Sequence, residues 1–263
     1  MIQTRPLTTT PDGSRAAEPA QADATWRRVY RAGGVAALAV VALVLIQAPI
    51  FILYPYPTTV LAHLTQIHDH KLIGLINADL IMLVSELLAA VTFIALFGVL
   101  RQGHLRSMTV ALGAFLIGMV LYVASNPTFA LLYLSDQYAG ATSAAQRASF
   151  LAAGEAVWAT YQGTPFAVAF ILGGVAALIV ATVMLRSGRF GRWTAYLGLL
   201  VGATMMLPPL PALGPVALAI SYVSLLPMIV WYALVGLRLL RLASAPGSGA
   251  PAVKAQRSRA SLA

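Results

Sequence analysis

Charge vanishes from this chain in long blocks. Ala32–Tyr54, Ser107–Leu134 and Pro165–Leu185 contain no Asp, Glu, Lys or Arg, and Leu72–Leu100 contains only Asp79 and Glu86. Each block matches the roughly 20 apolar residues that an α-helix needs to cross a ~30 Å hydrocarbon core. A fifth block, Trp193–Leu237, runs 45 residues without charge. As one helix it would be roughly 67 Å long, about twice the bilayer core. Pro208-Pro209-Leu210-Pro211 and Gly214-Pro215 interrupt it. Proline removes the N–H donors a helix needs, so the block folds back into two helices near 193–207 and 216–237. The pattern therefore predicts an all-α polytopic bundle of six transmembrane helices. Lipid leaves backbone groups to be satisfied within each helix, and the short alternating strands of a barrel are absent.

The basic residues orient these spans. Fifteen of the 17 Lys and Arg residues fall in the N-terminal tail, the second-to-third and fourth-to-fifth connections, and the C-terminal tail. Lys71 and Arg147 alone fall in the alternate loops. That split fits the positive-inside rule with both termini cytoplasmic. The net charge of +9 then reflects topology and anionic headgroups, so the expected partners are the lipid bilayer and a membrane protein, with no nucleic acid. The first span is too long for a signal-peptide core and no cleavage site follows it, so it reads as an uncleaved anchor. Residues 1–25 and 244–263, rich in Pro, Ala, Gly, Ser and Arg, are expected to be disordered cytoplasmic tails around a domain at 26–243.

Composition agrees. Hydrophobic residues make up 59% and charged residues 10%, against roughly 45–50% and about 25% in soluble domains. Cysteine is absent, which excludes disulfides, Cys-zinc sites, iron–sulfur clusters and thiol catalysis. Arginine outnumbers lysine 15 to 2, as in high-GC bacteria. The expected location is the bacterial cytoplasmic membrane.

Two outer loops, Pro55–Lys71 and Ser135–Thr164, exceed bare turns. In the second, Ser143-Ala144-Ala145-Gln146 forms a capping box. Phe150, Leu151, Val157, Trp158 and Tyr161 share one helical face, with Arg147, Glu155 and Gln162 off it. This predicts an extracytoplasmic interfacial helix, with Trp158 and Tyr161 at headgroup depth. Gly163 ends it, Thr164 caps the next helix, and Pro165 suits that helix's first turn.

Asp79 and Glu86 are the intramembrane acidic candidates. Seven residues apart on one helix, they lie about 20° apart around its axis, on a face with Ala90 flanked by Met82 and Phe93. A charge near mid-bilayer costs on the order of 2.5–3.5 kcal/mol, which favours a bundle-facing or watered position. The pair offers a proton or cation relay; a buried structural hydrogen bond is the simpler alternative. His63, His68, His70, Arg147 and Glu155 are the outer-face polar candidates, with Asp69 beside the histidines and Asp136 or Glu155 as the fourth ligand a metal would need. As metal ligands they are weak, because no single regular structure gathers all three histidines. Solvated or headgroup-facing side chains are the simpler reading. Gly198 and Gly202 form a GxxxG pair suited to close helix packing, and Asn126-Pro127 is expected to kink the third span. Trp193, Trp231 and Tyr232 fit interfacial belts. No nucleotide, hydrolase or metalloprotease motif occurs, so no cofactor is expected.

Further resemblance lies in Ser125-Asn126-Pro127, Leu134-Ser135-Asp136-Gln137-Tyr138-Ala139, Ala141-Thr142, Ala145-Gln146-Arg147, Ala152-Ala153-Gly154-Glu155 and Gly163-Thr164. Met184-Leu185-Arg186-Ser187 and Ala195-Tyr196-Leu197-Gly198 add to it. These segments resemble bacterial six-helix membrane proteins of the domain of unknown function 4386 type, over roughly residues 26–240. The resemblance implies a six-span membrane protein and supplies no catalytic residues. The resulting expectation is a non-enzymatic, accessory or regulatory membrane protein. The alternatives are a small proton- or cation-coupled transporter using Glu86 and Asp79, and a membrane-embedded metalloenzyme using the outer histidines.

Overall fold

A computed structural model describes residues 13–54, 56–207 and 215–245. Among the described residues there are ten helices and no strand. They are α1 (Gly13–Leu53), α2 (Val60–Asp69), α3 (Lys71–Asn77), α4 (Leu80–Leu100) and α5 (Leu105–Ser125). Then follow α6 (Thr128–Ala139), α7 (Ala144–Tyr161), α8 (Thr164–Ser187), α9 (Arg192–Met205) and α10 (Pro215–Ser244). Among the described residues five helical stretches are long and apolar enough to cross a bilayer: Thr25–Phe51, Leu80–Leu100, Leu105–Ala139, Ala144–Ser187 and Val223–Ser244. The chain is thus a multi-pass helical membrane protein. Helix α9, with 14 residues, spans only ~21 Å. The proline cluster expected to turn the chain, Pro208 to Gly214, lies outside the described residues, as do 1–12 and 246–263 of the expected tails. Helix α1 starts at Gly13, within the stretch expected to be disordered; its early alanines favour helix.

Six helices close a ring. Helix α1 packs on α4 and α10, α4 on α5, α5 on α8, α8 on α9, and α9 on α10. Small residues let the backbones approach. A Cβ on Gly202 would lie 2.9 Å from the Gly174 carbonyl oxygen and 2.8 Å from Leu178 Cγ. One on Gly198 would meet Trp231 Nε1 at 2.7 Å. The GxxxG pair therefore serves packing within the chain, against α8 and α10. The ring interior is filled: Phe93 and Phe115 stack at 4.0 Å and 11°, and Trp231 beside them is 1% exposed. Trp231 and Tyr232 are therefore core residues, not belt residues; only Trp193, at 78% exposure, faces outward. Hydropathy treats both sides of a helix alike, so it did not distinguish an inward indole from an interfacial one.

Helices α2, α3, α6 and α7 form a layer at one end of the ring. Val60, Leu64, Ile67, Ala78, Leu131 and Leu134 are its buried core, covered by Phe150, Leu151, Val157 and Trp158. The capping box at the start of α7 is present: Ser143 Oγ accepts from Gln146 N at 3.2 Å, and Gln146 Oε1 accepts from Ser143 N at 3.3 Å. A break at Gln162-Gly163 separates α7 from α8, with Gly163 as the N-cap and Thr164 already helical. The cap thus falls one residue earlier than the sequence implied. Asn126-Pro127 breaks the third span into α5 and α6, as expected, with Asn126 Oδ1 accepting from Thr128 N at 3.1 Å.

The second span also breaks. Its first six residues, with Lys71 before them, form α3, and α4 starts only at Leu80, after Ala78 and Asp79. Asp79 has φ 77°, in the left-handed region that Asp tolerates better than most side chains. The break leaves carbonyls without helical partners, and the Thr128 hydroxyl donates to that of Ala78.

Candidate functional site

That break places Asp79 in a site of its own. Asp79 is the N-cap of α4, yet its side chain makes no capping bond. Its Oδ2 instead accepts from Tyr122 Oη of α5 at 2.8 Å, and from Tyr161 Oη at the end of α7. Both tyrosines are buried, at 2% and 6% exposure. A buried phenol needs a partner for its O–H, and one carboxyl oxygen serves two. The contact joins α5, α7 and the α3–α4 break. The expectation that Asp79 and Glu86 share one face of a continuous helix is therefore overturned, because Asp79 precedes α4. They approach each other through a third residue instead: Glu86 lines a cavity of about 20 Å³ together with Tyr122, Phe115, Gly118 and Met119. That is room for about one water. Among the described residues no side chain hydrogen-bonds or ion-pairs with the Glu86 carboxyl.

The outer histidines do not converge. His63 is 1% exposed and both its ring nitrogens lack a hydrogen-bond partner. It lies against Trp158, with ring centroids 4.4 Å apart, and edge-on to Tyr56 at 5.2 Å. Burial pulls its imidazole down from 6.5 to about 4, so it is neutral at ordinary pH. His68 and His70 are exposed on the other side of α2, and His70 is the cap that ends it. Among the described residues no three His, Asp or Glu gather as a metal site. His63 is thus a core residue of the layer, not a solvated outer-face side chain; helical spacing turned it inward with Leu64 and Ile67. Glu155 and Arg147 are exposed on α7, with Arg147 reaching the Ala141 carbonyl at 3.5 Å. Asp136 pairs with Lys71 at 3.9 Å on the surface, a contact worth at most about 1 kcal/mol.

Sequence reasoning missed Tyr122, and it assigned Tyr161 to the headgroup region. The available signal was a tyrosine inside an apolar run, whose hydroxyl must find an acceptor; nothing in the sequence said which acid supplies it. A family model, Domain of unknown function (DUF4386), matches residues 33–242. The chain belongs to the DUF4386 family. No match was found among curated proteins or among solved structures. In this DUF4386 chain, the matched range holds every residue of the Asp79 site, the Glu86 cavity and the layer above them.

Proposed function

We propose that this protein is a six-span, non-enzymatic component of the bacterial cytoplasmic membrane, accessory or regulatory in role, with both termini in the cytoplasm. The carrying observation is the filled ring interior, where Phe93, Phe115 and Trp231 pack together and the space beside Glu86 measures about 20 Å³. A solute pathway needs far more room than one water. The ring supports counting α9 as the sixth span, because it takes one of six equivalent places between α8 and α10. The arginines of α1, the α8–α9 turn and α10 support the cytoplasmic assignment of that end. Helix α7, with its apolar face on the layer and Arg147 and Glu155 outward, suits an interfacial position. Lipid headgroups, rather than nucleic acid, suit the basic ends.

Reporter fusions after residue 245 and within Ala139–Ser143 test the topology, with cytoplasmic and extracytoplasmic signals expected respectively. Like signals from both would discard it. Crosslinking followed by purification should recover one stoichiometric membrane partner, and solute uptake by protein-loaded vesicles would overturn the accessory role.

A proton relay is the second reading, favoured by one observation: Tyr122 both donates to Asp79 and lines the Glu86 cavity. A water in that cavity would link Glu86 through Tyr122 to Asp79. In proteoliposomes under a pH gradient, Glu86→Gln and Tyr122→Phe should each reduce proton flux at least tenfold. Equal flux in wild type and Glu86→Gln removes this reading.

A further inference from the structure

At the arginine-rich end, a cavity of about 380 Å³ lies between the α8–α9 turn and the last turns of α10. Its polar side carries Arg189, Arg238, Arg241 and Thr194; its apolar side carries Phe190, Leu234 and Leu237. No carboxylate lines it. Arg189 is held by the Val99 carbonyl and Gln102 Oε1. Arg238 uses Nε on the Arg189 carbonyl at 3.0 Å, which leaves its two terminal nitrogens available. Arg241 makes no hydrogen bond or ion pair among the described residues. Three guanidinium groups around one cavity with no carboxylate make it a positive site that favours an anion.

We propose that this cavity binds the phosphate of an anionic phospholipid, held by Arg241 and Arg238 with Arg189 behind them. The guanidinium fork matches phosphate oxygens two at a time. The shared chemistry would also suit free phosphate, but the apolar wall favours the lipid. Leu237, at 46% exposure, carries that wall from Phe190 and Leu234 out to the ring's lipid-facing surface, where an acyl chain would lie. Basic pockets between membrane helices are suited to such headgroups. The inference does not depend on which side of the membrane this end faces, so its failure would leave the proposed function standing.

The test is thermal unfolding of the full chain in detergent, titrated with phosphatidylglycerol, phosphatidylcholine of the same acyl chains, or inorganic phosphate. A ligand that binds only the folded state raises its stability by mass action. Phosphatidylglycerol should raise the midpoint saturably, while the other two leave it unchanged. Arg241→Gln should weaken phosphatidylglycerol binding about tenfold, the loss of one charge-assisted contact. The variant Arg241→Lys, which keeps the charge and loses the fork, should fall between and covers the case in which the glutamine variant does not fold. Arg106→Gln, an equal charge change outside the cavity, should match wild type. An equal shift from phosphatidylcholine, or a wild-type response in both Arg241 variants, overturns the proposal. A full shift from inorganic phosphate alone overturns the lipid assignment in favour of a free-anion site.

Discussion

At Gly202 the backbones of α8 and α9 come so close that a Cβ would stand 2.9 Å from the Gly174 carbonyl. At Leu64, in the layer of α2, α3, α6 and α7, a large aliphatic side chain 1% exposed fills the contact. The difference follows from the solvent. In lipid, an apolar side chain gains nothing by leaving acyl chains for another helix, so association rests on close van der Waals fit, which small residues permit. The layer carries exposed His68, Asp69, His70, Lys71, Asp136, Arg147 and Glu155, side chains that favour water over lipid, and in water burying apolar area contributes about 25 cal/mol per Å². Ring and layer are joined by polar contacts at the helix breaks: Asp79 to Tyr122 and Tyr161, and Thr128 to Ala78.

Three measurements would break or sharpen that contrast. The largest effect is expected from Leu64→Ala, which should cost roughly 2–5 kcal/mol of stability, as for other filled aliphatic sites. Limited proteolysis should show the layer opening while the ring stays protected; simultaneous loss of both would show one cooperative unit.

Acidification should come next. His63 titrates at about 4 when folded and at 6.5 otherwise. Above 6.5 both states are neutral and pH has no effect. Between 6.5 and 4 the unfolded chain takes up a proton that the folded layer refuses, so stability falls as pH falls and levels out below about 4. The whole loss is on the order of 3–3.5 kcal/mol. Tryptophan fluorescence melts from pH 7 to pH 4 should show this slope, and His63→Leu should flatten it. A slope unchanged in that variant would assign the acid sensitivity elsewhere.

The smallest effect belongs to the ring. Gly202→Val should cost about 1–3 kcal/mol, because α8 and α9 must separate to admit it. Gly113→Ala, on a face where a Cβ would meet nothing within 4 Å, should stay within about 0.5 kcal/mol of wild type. Equal melting of the two variants would deny that close approach holds the ring together.

The long apolar helices were legible because lipid imposes a length, and the break at Pro127 because proline removes a donor. Pro127 and the Ser143–Gln146 box marked helix ends correctly, as local chemistry decides both. The Ala78-Asp79 break was passed over: no Pro or Gly stands there, and the polar Asn77 and Asp79 that flank Ala78 were read as part of one helix, although Asn and Asp favour turns. The left-handed conformation of Asp79 is held by partners 43 and 82 residues away, which no local pattern encodes. For the same reason the sequence offered Asp79 and Glu86 as a helical pair and passed over Tyr122, which donates to Asp79 and lines the cavity beside Glu86. His63 shows the converse. Its chemistry suggested a ligand, while its helical register with Leu64 and Ile67 pointed inward.

Helix α10 packs on both α1 and α9, so it closes the ring that α1 opens. During synthesis the seam along Gly34, where a Cβ would lie 2.9 Å from the Gly236 carbonyl, stays open to acyl chains until α10 leaves the ribosome. A nascent chain stopped before Pro215 would carry two unmatched helix flanks, and any quality-control protease that samples such flanks would see it as unfinished.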